Sequence, residues 1–172
     1  MAWMRTRIEV SEKLGRLARE AVGQEIIDKI IERTRERNID KDGKRLPGYS
    51  KSYRKSLDFE IAGKSSGNVN LTLTGDMLDS LKVISHRKGS ILVGFDRGDS
   101  DLNGKAEGNI KGTYGQSKPI SGKKRDFLGL PKTEVESIEK RYIPNKRNRE
   151  QVLERIALVG RLLDGQEDRE TN

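Results

Sequence analysis

KVISHRKGSILVGF, residues 82 to 95, decides how the rest of the chain must be arranged. Two short runs, Lys82 to Arg87 and Ser90 to Phe95, flank the dipeptide Lys88-Gly89. That spacing and that turn glycine predict a β-hairpin. Upstream, Val69, Leu71 and Leu73 alternate with Asn70, Thr72 and Thr74, the period of a half-buried strand. Gly75 and Asp76 then open a brief helical stretch through Met77, Leu78 and Leu81. The centre of the chain therefore reads as a small antiparallel sheet.

Helical periodicity lies on both sides of it. From Ser11 to about Arg37, Leu14, Leu17, Ala21 and Ile27, with Ala18, Val22, Ile26 and Ile30 beside them, recur at three- and four-residue intervals. Ser11 is the expected N-cap, and Asp40-Lys41-Asp42-Gly43 supplies turn chemistry after the end. A loop at Pro47-Gly48 and a short helix from Ser50 to Leu57 are expected next. Beyond the hairpin, a glycine- and aspartate-rich loop follows, with a short helix near Lys105 to Ile110. The chain then reads as irregular as far as Leu130-Pro131, and a helix through Val135 and Ile138 runs to a stop at Pro144. Residues 145 to 165 carry a last stripe of Val152, Ile156, Val159 and Leu163, flanked by Leu153 and Leu162.

The expected fold is α+β: a small antiparallel β-sheet packed against a long amphipathic N-terminal helix, with extended loops and an additional C-terminal helix. One domain covers residues 11 to 142, with a long flexible loop at about 96 to 124. The C-terminal helix at 145 to 165 and a disordered tail at 166 to 172 complete the chain. At 172 residues, 32% hydrophobic and 36% charged, the chain has enough apolar material for one modest core. The absence of cysteine excludes a disulfide framework, a thiolate metal site and a cysteine nucleophile. No apolar run approaches the roughly 20 residues that span a bilayer, and the first ten residues lack the pattern of a secretion signal. A soluble intracellular product with no membrane partner is the expectation.

The net charge of +8 raises nucleic-acid binding. Lys44, Arg45, Lys51, Arg54 and Lys55 form one cluster, Lys118, Lys123, Lys124 and Arg125 a second, and Lys140, Arg141, Lys146, Arg147 and Arg149 a third. They can neutralise phosphates non-specifically. Tyr49 and Tyr53 are interleaved with basic residues, but no recognition signature surrounds them. A basic surface facing acidic protein partners is the preferred reading.

Motifs for chemistry are weak. Gly63-Lys64-Ser65 echoes the end of a P-loop, yet Asp58 stands where its first glycine is required. Asp99, Asp101 and Asn103, with Gly104, match the opening of a calcium loop and are the candidate metal ligands. Ile110 occupies the twelfth position, where a bidentate glutamate belongs, so a turn rich in Asp and Asn is preferred. His86, the single histidine, falls in a hairpin strand with no nucleophile or carboxylate spaced to work with it. No cofactor and no enzymatic activity are expected.

SGKKRDFLGLP, residues 121 to 131, sets an apolar knot directly behind a cationic lead-in. Phe127 and Leu128 are expected in the core, fastening the end of the loop to the domain. With "LTLTGDMLDSLKV", the hairpin, Tyr114-Gly115 and "RDFLGLP" in this order, the chain resembles the tail-completion (virion morphogenesis) proteins of tailed bacteriophages. The resemblance covers roughly residues 11 to 142. It rests on Leu73, Thr74, Gly75, Leu78 and Ser80, and on Arg125, Phe127, Leu128, Gly129 and Leu130. Asp126 stands where the family usually has proline, and the histidine often found before the aromatic-glycine pair is missing.

The resemblance implies a non-enzymatic neck or tail-end subunit, made in the host cytoplasm and carried in the virion. Its implied partners are itself in a ring, taken as a hexamer, a tail tube or tail terminator protein, and a head-side connector or stopper protein. Non-specific DNA contact is the alternative role. Lys118, Lys123, Lys124 and Arg125 are expected to meet acidic neighbours. The stripe of Val152, Ile156, Val159 and Leu163 lies outside the resemblance and either faces another chain or folds back onto its own domain.

Overall fold

Arg5-Thr6-Arg7-Ile8-Glu9 alternates charged and less polar residues over five positions, and in the computed structural model it is a strand, β1 (Arg5–Glu9). The structure describes residues 2–61, 63, 69, 71, 76–113, 123–145 and 148–170. The hairpin forms as expected from β2 (Lys82–Arg87) and β3 (Ser90–Gly94), turned at Gly89 with φ of +80°. β3 lies in the middle of the sheet, in the order β1-β3-β2, and both pairings are antiparallel. A register shift between Val83 and Ser85 kinks β2.

Of the strand expected at 69 to 74, residues 70 and 72–74 lie outside the described residues, and Val69 and Leu71 are not in a strand. Leu71 has a left-handed φ of 51°, which a strand excludes. The free edge of β3 is taken by β1 instead, and Leu71 packs against the core without joining a ladder.

The N-terminal helix α1 spans Arg16–Glu32, and its last turn widens into a π-helical turn over Arg33–Arg37. Asn38, in the left-handed conformation at φ 58°, ends it. The helix therefore starts five residues later than expected. Ser11 holds a turn rather than a cap: its backbone N–H donates to the Glu139 carboxylate, and its carbonyl accepts from Leu14. Gly15, extended at ψ 171°, is the residue that enters the helix.

Ala18, Ala21, Val22, Ile26, Ile27 and Ile30 are buried, as the periodicity requires, whereas Leu17 is 49% exposed. This stripe seats α1 on β2 and β3. The two come close enough that a Cβ on Gly23 would lie 2.7 Å from Val83 Cγ2.

Further elements dock around that pair. Tyr53–Lys55 forms a single 3₁₀ turn. The expected helix from Ser50 to Leu57 is thus divided, because Ser56 turns extended. Its hydroxyl donates to the Tyr53 carbonyl at 2.7 Å and accepts from Phe59 N–H at 3.3 Å, starting α2 (Leu57–Ile61). α3 (Asp76–Asp79) precedes the hairpin. α4 (Ser100–Lys111) stands inside the segment expected to be a flexible loop. The Asp99 carboxylate caps it by accepting from Leu102 N–H at 2.9 Å, and Gly112 at φ 73° closes it.

α5 (Lys132–Glu139) begins directly after Pro131. α6 (Arg149–Glu170) lies against α1 and runs beyond the expected end at residue 165. The core joins α1, the sheet, Leu78 and Ala106 with Phe127, Leu128, Val135, Ile138 and Tyr142.

Gly94 marks the tightest contact within the sheet, since a Cβ there would lie 2.5 Å from the Met4 carbonyl oxygen and 2.8 Å from Arg5 Cα. Gly94→Val is expected to lower stability by about 1–3 kcal/mol through overpacking, read as a lower urea midpoint. An unchanged midpoint would show that β1 does not hold this register.

Candidate interaction surfaces

Arg125, expected as an exposed interface cation, is a buried strut, and this is a correction. It is 9% exposed. Its guanidinium donates to the Pro47 carbonyl at 3.2 Å, the Gly48 carbonyl at 3.1 Å and Asn109 Oδ1 at 3.3 Å. It also sits 5.5 Å from the Tyr49 ring centroid. Burial lowers its pKa, and the Tyr49 and Tyr53 hydroxyls oppose that shift. A loop that leaves carbonyls inside needs donors there, and the five-donor guanidinium fork supplies several at once.

Tyr49 and Tyr53 do not form a stacking platform. They pack edge-to-face with each other and with Phe59, at centroid separations of 5.3, 5.6 and 5.5 Å. Of the other residues in the second basic cluster, Lys123 is half-buried and Lys124 is exposed. Lys118 lies outside the described residues.

Phe127 and Leu128 are buried at 1% and 4% exposure, so the apolar knot is the fastening point that its sequence suggests. The neighbouring backbone is tied to the turn after the first helix, with Lys41 N–H donating to the Asp126 carbonyl at 2.8 Å. Gly129 follows at φ +149°, a conformation that L side chains avoid. Asp126 has its pKa raised by burial, against which Lys41 works from 3.5 Å. Leu78 is in the core at 1% exposure. Leu73 and Gly75 lie outside the described residues.

Asp99, Asp101 and Asn103 do not converge on a cation site. Asp99 is the helix cap, Asp101 pairs with Lys105 at 2.6 Å, and the Asn103 amide donates to the Asp96 and Asp99 carbonyls at 2.6 Å each. Helical backbone from Ser100 onward points successive side chains around the axis, whereas a calcium loop needs alternate oxygens on one centre. No group of three His, Cys, Asp or Glu residues able to hold a metal occurs among the described residues. His86 lies on the helix-facing side of the sheet, paired across the ladder with Ile91.

A cleft of about 640 Å³ opens between α1 and α5, lined by Glu25, Asp28, Lys29, Glu32, Glu134 and Arg141 among others. Most of its charges are already partnered, and Asp28 accepts from the Gln24 amide at 3.1 Å. Glu25 accepts from Arg141 and the Tyr142 hydroxyl, Glu134 from Arg33, and Glu32 from Lys29 at 2.6 Å. The Lys29 hydrogen bond holds the Glu32 carboxyl below its ordinary range. Burial and the Glu25 acceptor push the Tyr142 phenol upward. This is an ion-pair network between two helices.

The C-terminal helix turns part of its predicted stripe inward. Val152 is 2% exposed and Ile156 packs against the core, so the residues expected to meet another chain hold α6 to its own domain. The side chains of Val159 and Leu163 lie outside what is described. Outward from α6 project Leu153 at 55% and Leu158 at 52% exposure, and α2 carries Leu57 at 68% and Ile61 at 75%. Sequence periodicity missed α2 because its two exposed apolar residues bracket a five-residue element, too short to show a period.

No family model, curated protein or solved structure matches the chain. No helix among the described residues is long and apolar enough to cross a membrane.

Arg125→Ala is expected to cost about 3 kcal/mol or more, because buried acceptors lose a charged donor, while Lys124→Ala should stay within about 0.5 kcal/mol. Equal effects in urea denaturation would overturn the strut assignment. A raised carboxyl pKa makes Asp126 cost stability once ionised. The cost is absent below its ordinary value of 3.8 and accrues as pH rises through the higher folded value. Asp126→Asn should therefore match the parent protein in acid and melt higher at neutral pH.

Proposed function

We propose that this chain is a structural subunit of the neck or tail end of a tailed bacteriophage, a ring component that completes the tail and joins it to the head. One observation carries the reading. Large exposed apolar side chains occur on two different elements, Leu153 and Leu158 on α6 and Leu57 and Ile61 on α2. Exposed leucines and isoleucines in pairs mark surfaces that another protein covers.

A closed ring needs a heterologous interface, in which one patch of each subunit meets a different patch of the next. α6 rests on α1, whereas α2 rests on the Tyr53–Lys55 turn, so the two patches belong to different parts of the fold. The order of motifs around "RDFLGLP" supports the family assignment, and Phe127 and Leu128 have the core role that such a motif implies. Neighbouring tail and head-side proteins are the further partners under this reading, and Lys123 and Lys124 remain available to their acidic surfaces.

The test is assembly of the purified full chain, followed by mass photometry and electron microscopy. Rings are expected from the parent protein. Leu153→Glu/Leu158→Glu should abolish them while leaving the far-ultraviolet circular dichroism spectrum intact, since neither side chain belongs to the core. Rings that persist in this variant would remove α6 from the interface. A parent chain that stays monomeric at all concentrations, and never enters particles, would end the reading.

A further inference from the structure

The sheet has α1 on one face, and its other face carries arginines that the three sequence clusters do not include. Register fixes which residues share that outer face. Arg5 and Lys82 both stand opposite Gly94, Arg7 and Ser85 opposite Leu92, and Glu9 and Arg87 opposite Ser90. Ile8, Ile91 and Val93, at the alternate positions, are buried beneath the sheet.

Arg5, Arg7 and Arg87 are exposed. Charges here are unequal: Lys82 is held by Asp96 at 2.7 Å, which leaves three arginines against the carboxylate of Glu9. At one end of this face the Arg5 guanidinium lies 4.0 Å from the Trp3 ring centroid, with that of Arg97 at 5.9 Å on the same indole. The Trp3 Nε1–H donates to the Phe95 carbonyl at 2.8 Å, which fixes the ring in place.

From this placement we infer that the helix-free face of the sheet, through Arg5, Arg7 and Arg87, binds the phosphate backbone of DNA. Successive outward residues on a strand stand roughly 7 Å apart and neighbouring strands about 5 Å apart, so the three guanidiniums form an array rather than a point. Guanidinium forks match phosphate oxygens in pairs. Gly94 leaves the space between Arg5 and Lys82 without a side chain, and Ser85 and Ser90 add hydroxyl donors on the same face. Trp3 is committed to its arginines and to Phe95, so the face offers no free aromatic plane and reads no base. The expected binding is electrostatic and indifferent to sequence. The inference rests on the sheet alone and does not require the ring.

The experiment is fluorescence anisotropy of a labelled mixed-sequence DNA duplex titrated with the full chain across a range of salt. Binding is expected, with log K falling steeply against log salt. Arg5→Gln/Arg7→Gln/Arg87→Gln should weaken it at least about tenfold at low salt and reduce the slope by about three, near 0.9 for each lost contact. Lys123→Gln/Lys124→Gln should keep the parent slope to within about one unit. Because Arg5 touches Trp3, Arg7→Gln/Arg87→Gln is the second variant, with an expected loss of slope of about two and an unchanged melting temperature.

A triple variant that keeps the parent slope overturns the assignment, as does a parent chain that does not bind. Polyglutamate competing as well as unlabelled duplex would also overturn it, in favour of an acidic protein surface. Ring formation is scored separately, so loss of one activity leaves the other reading standing.

Discussion

A helix can lie close against a sheet only where its facing side chains leave room for the backbone, and in this protein Gly23 makes that room. Any Cβ at this position would collide with Val83 Cγ2 at 2.7 Å and crowd Ile91 Cγ2 at 3.4 Å. The close approach lets Val22, Ile26, Ile27 and Ile30, none more than 1% exposed, pack onto strands only five or six residues long. Two hairpin strands alone would be marginal in water, and a third strand with a packed helix makes them stable. With α1 seated, its flanks become the support for α5 and α6. Residues that the sequence pattern assigns to an intermolecular stripe, Val152 and Ile156, are consumed in that support.

A chain this rich in charge must bring some of it inside to close its loops. Arg33 is 2% exposed, pairs with Glu134 and donates to the Asp40 carbonyl at 2.7 Å. Arg125 performs the equivalent task for the carbonyls of Pro47 and Gly48. Burying a guanidinium is costly, and it is tolerated where the loops around it would otherwise leave carbonyls unpaired. The two arginines thus join segments far apart in sequence: the end of the first helix to α5, and the Pro47 loop to the "RDFLGLP" stretch. Their presence explains how a domain with 32% hydrophobic residues can still enclose one continuous core.

The legible parts of this fold were those with a clean period. The hairpin at Lys88-Gly89 and the stripe from Ala18 to Ile30 are read directly from alternation and three-four spacing, and the structure has both. β1 escaped because two of its five residues are arginines and it joins the sheet across more than eighty residues. Alternation at Val69 to Leu73 does not show the left-handed φ of 51° at Leu71, because a side-chain pattern carries no signal for a single backbone reversal. Only the part of α4 near Lys105 to Ile110 is expected as helix, because the glycines and asparagines of the element are poor helix formers. The Asp99 cap and the packing of Ala106 against the core outweigh that propensity. Arg125 shows the limit of charge clustering, since a run of cations says nothing about which of them faces inward.

Surface chemistry divides along the same architecture. α1 carries Leu17 outward and α2 and α6 carry the other large exposed apolar side chains among the described residues, whereas the outer face of the sheet is arginine-rich. That segregation follows from geometry. A short edge strand with an apolar outer face would recruit further strands, and charged side chains on it suppress such pairing. Helical surfaces carry no unpaired ladder and can leave leucines exposed without that hazard. Contacts through helices, with the sheet edge guarded by charge, are what the proposed ring would use. The same arginines leave the helix-free face of the sheet positively charged.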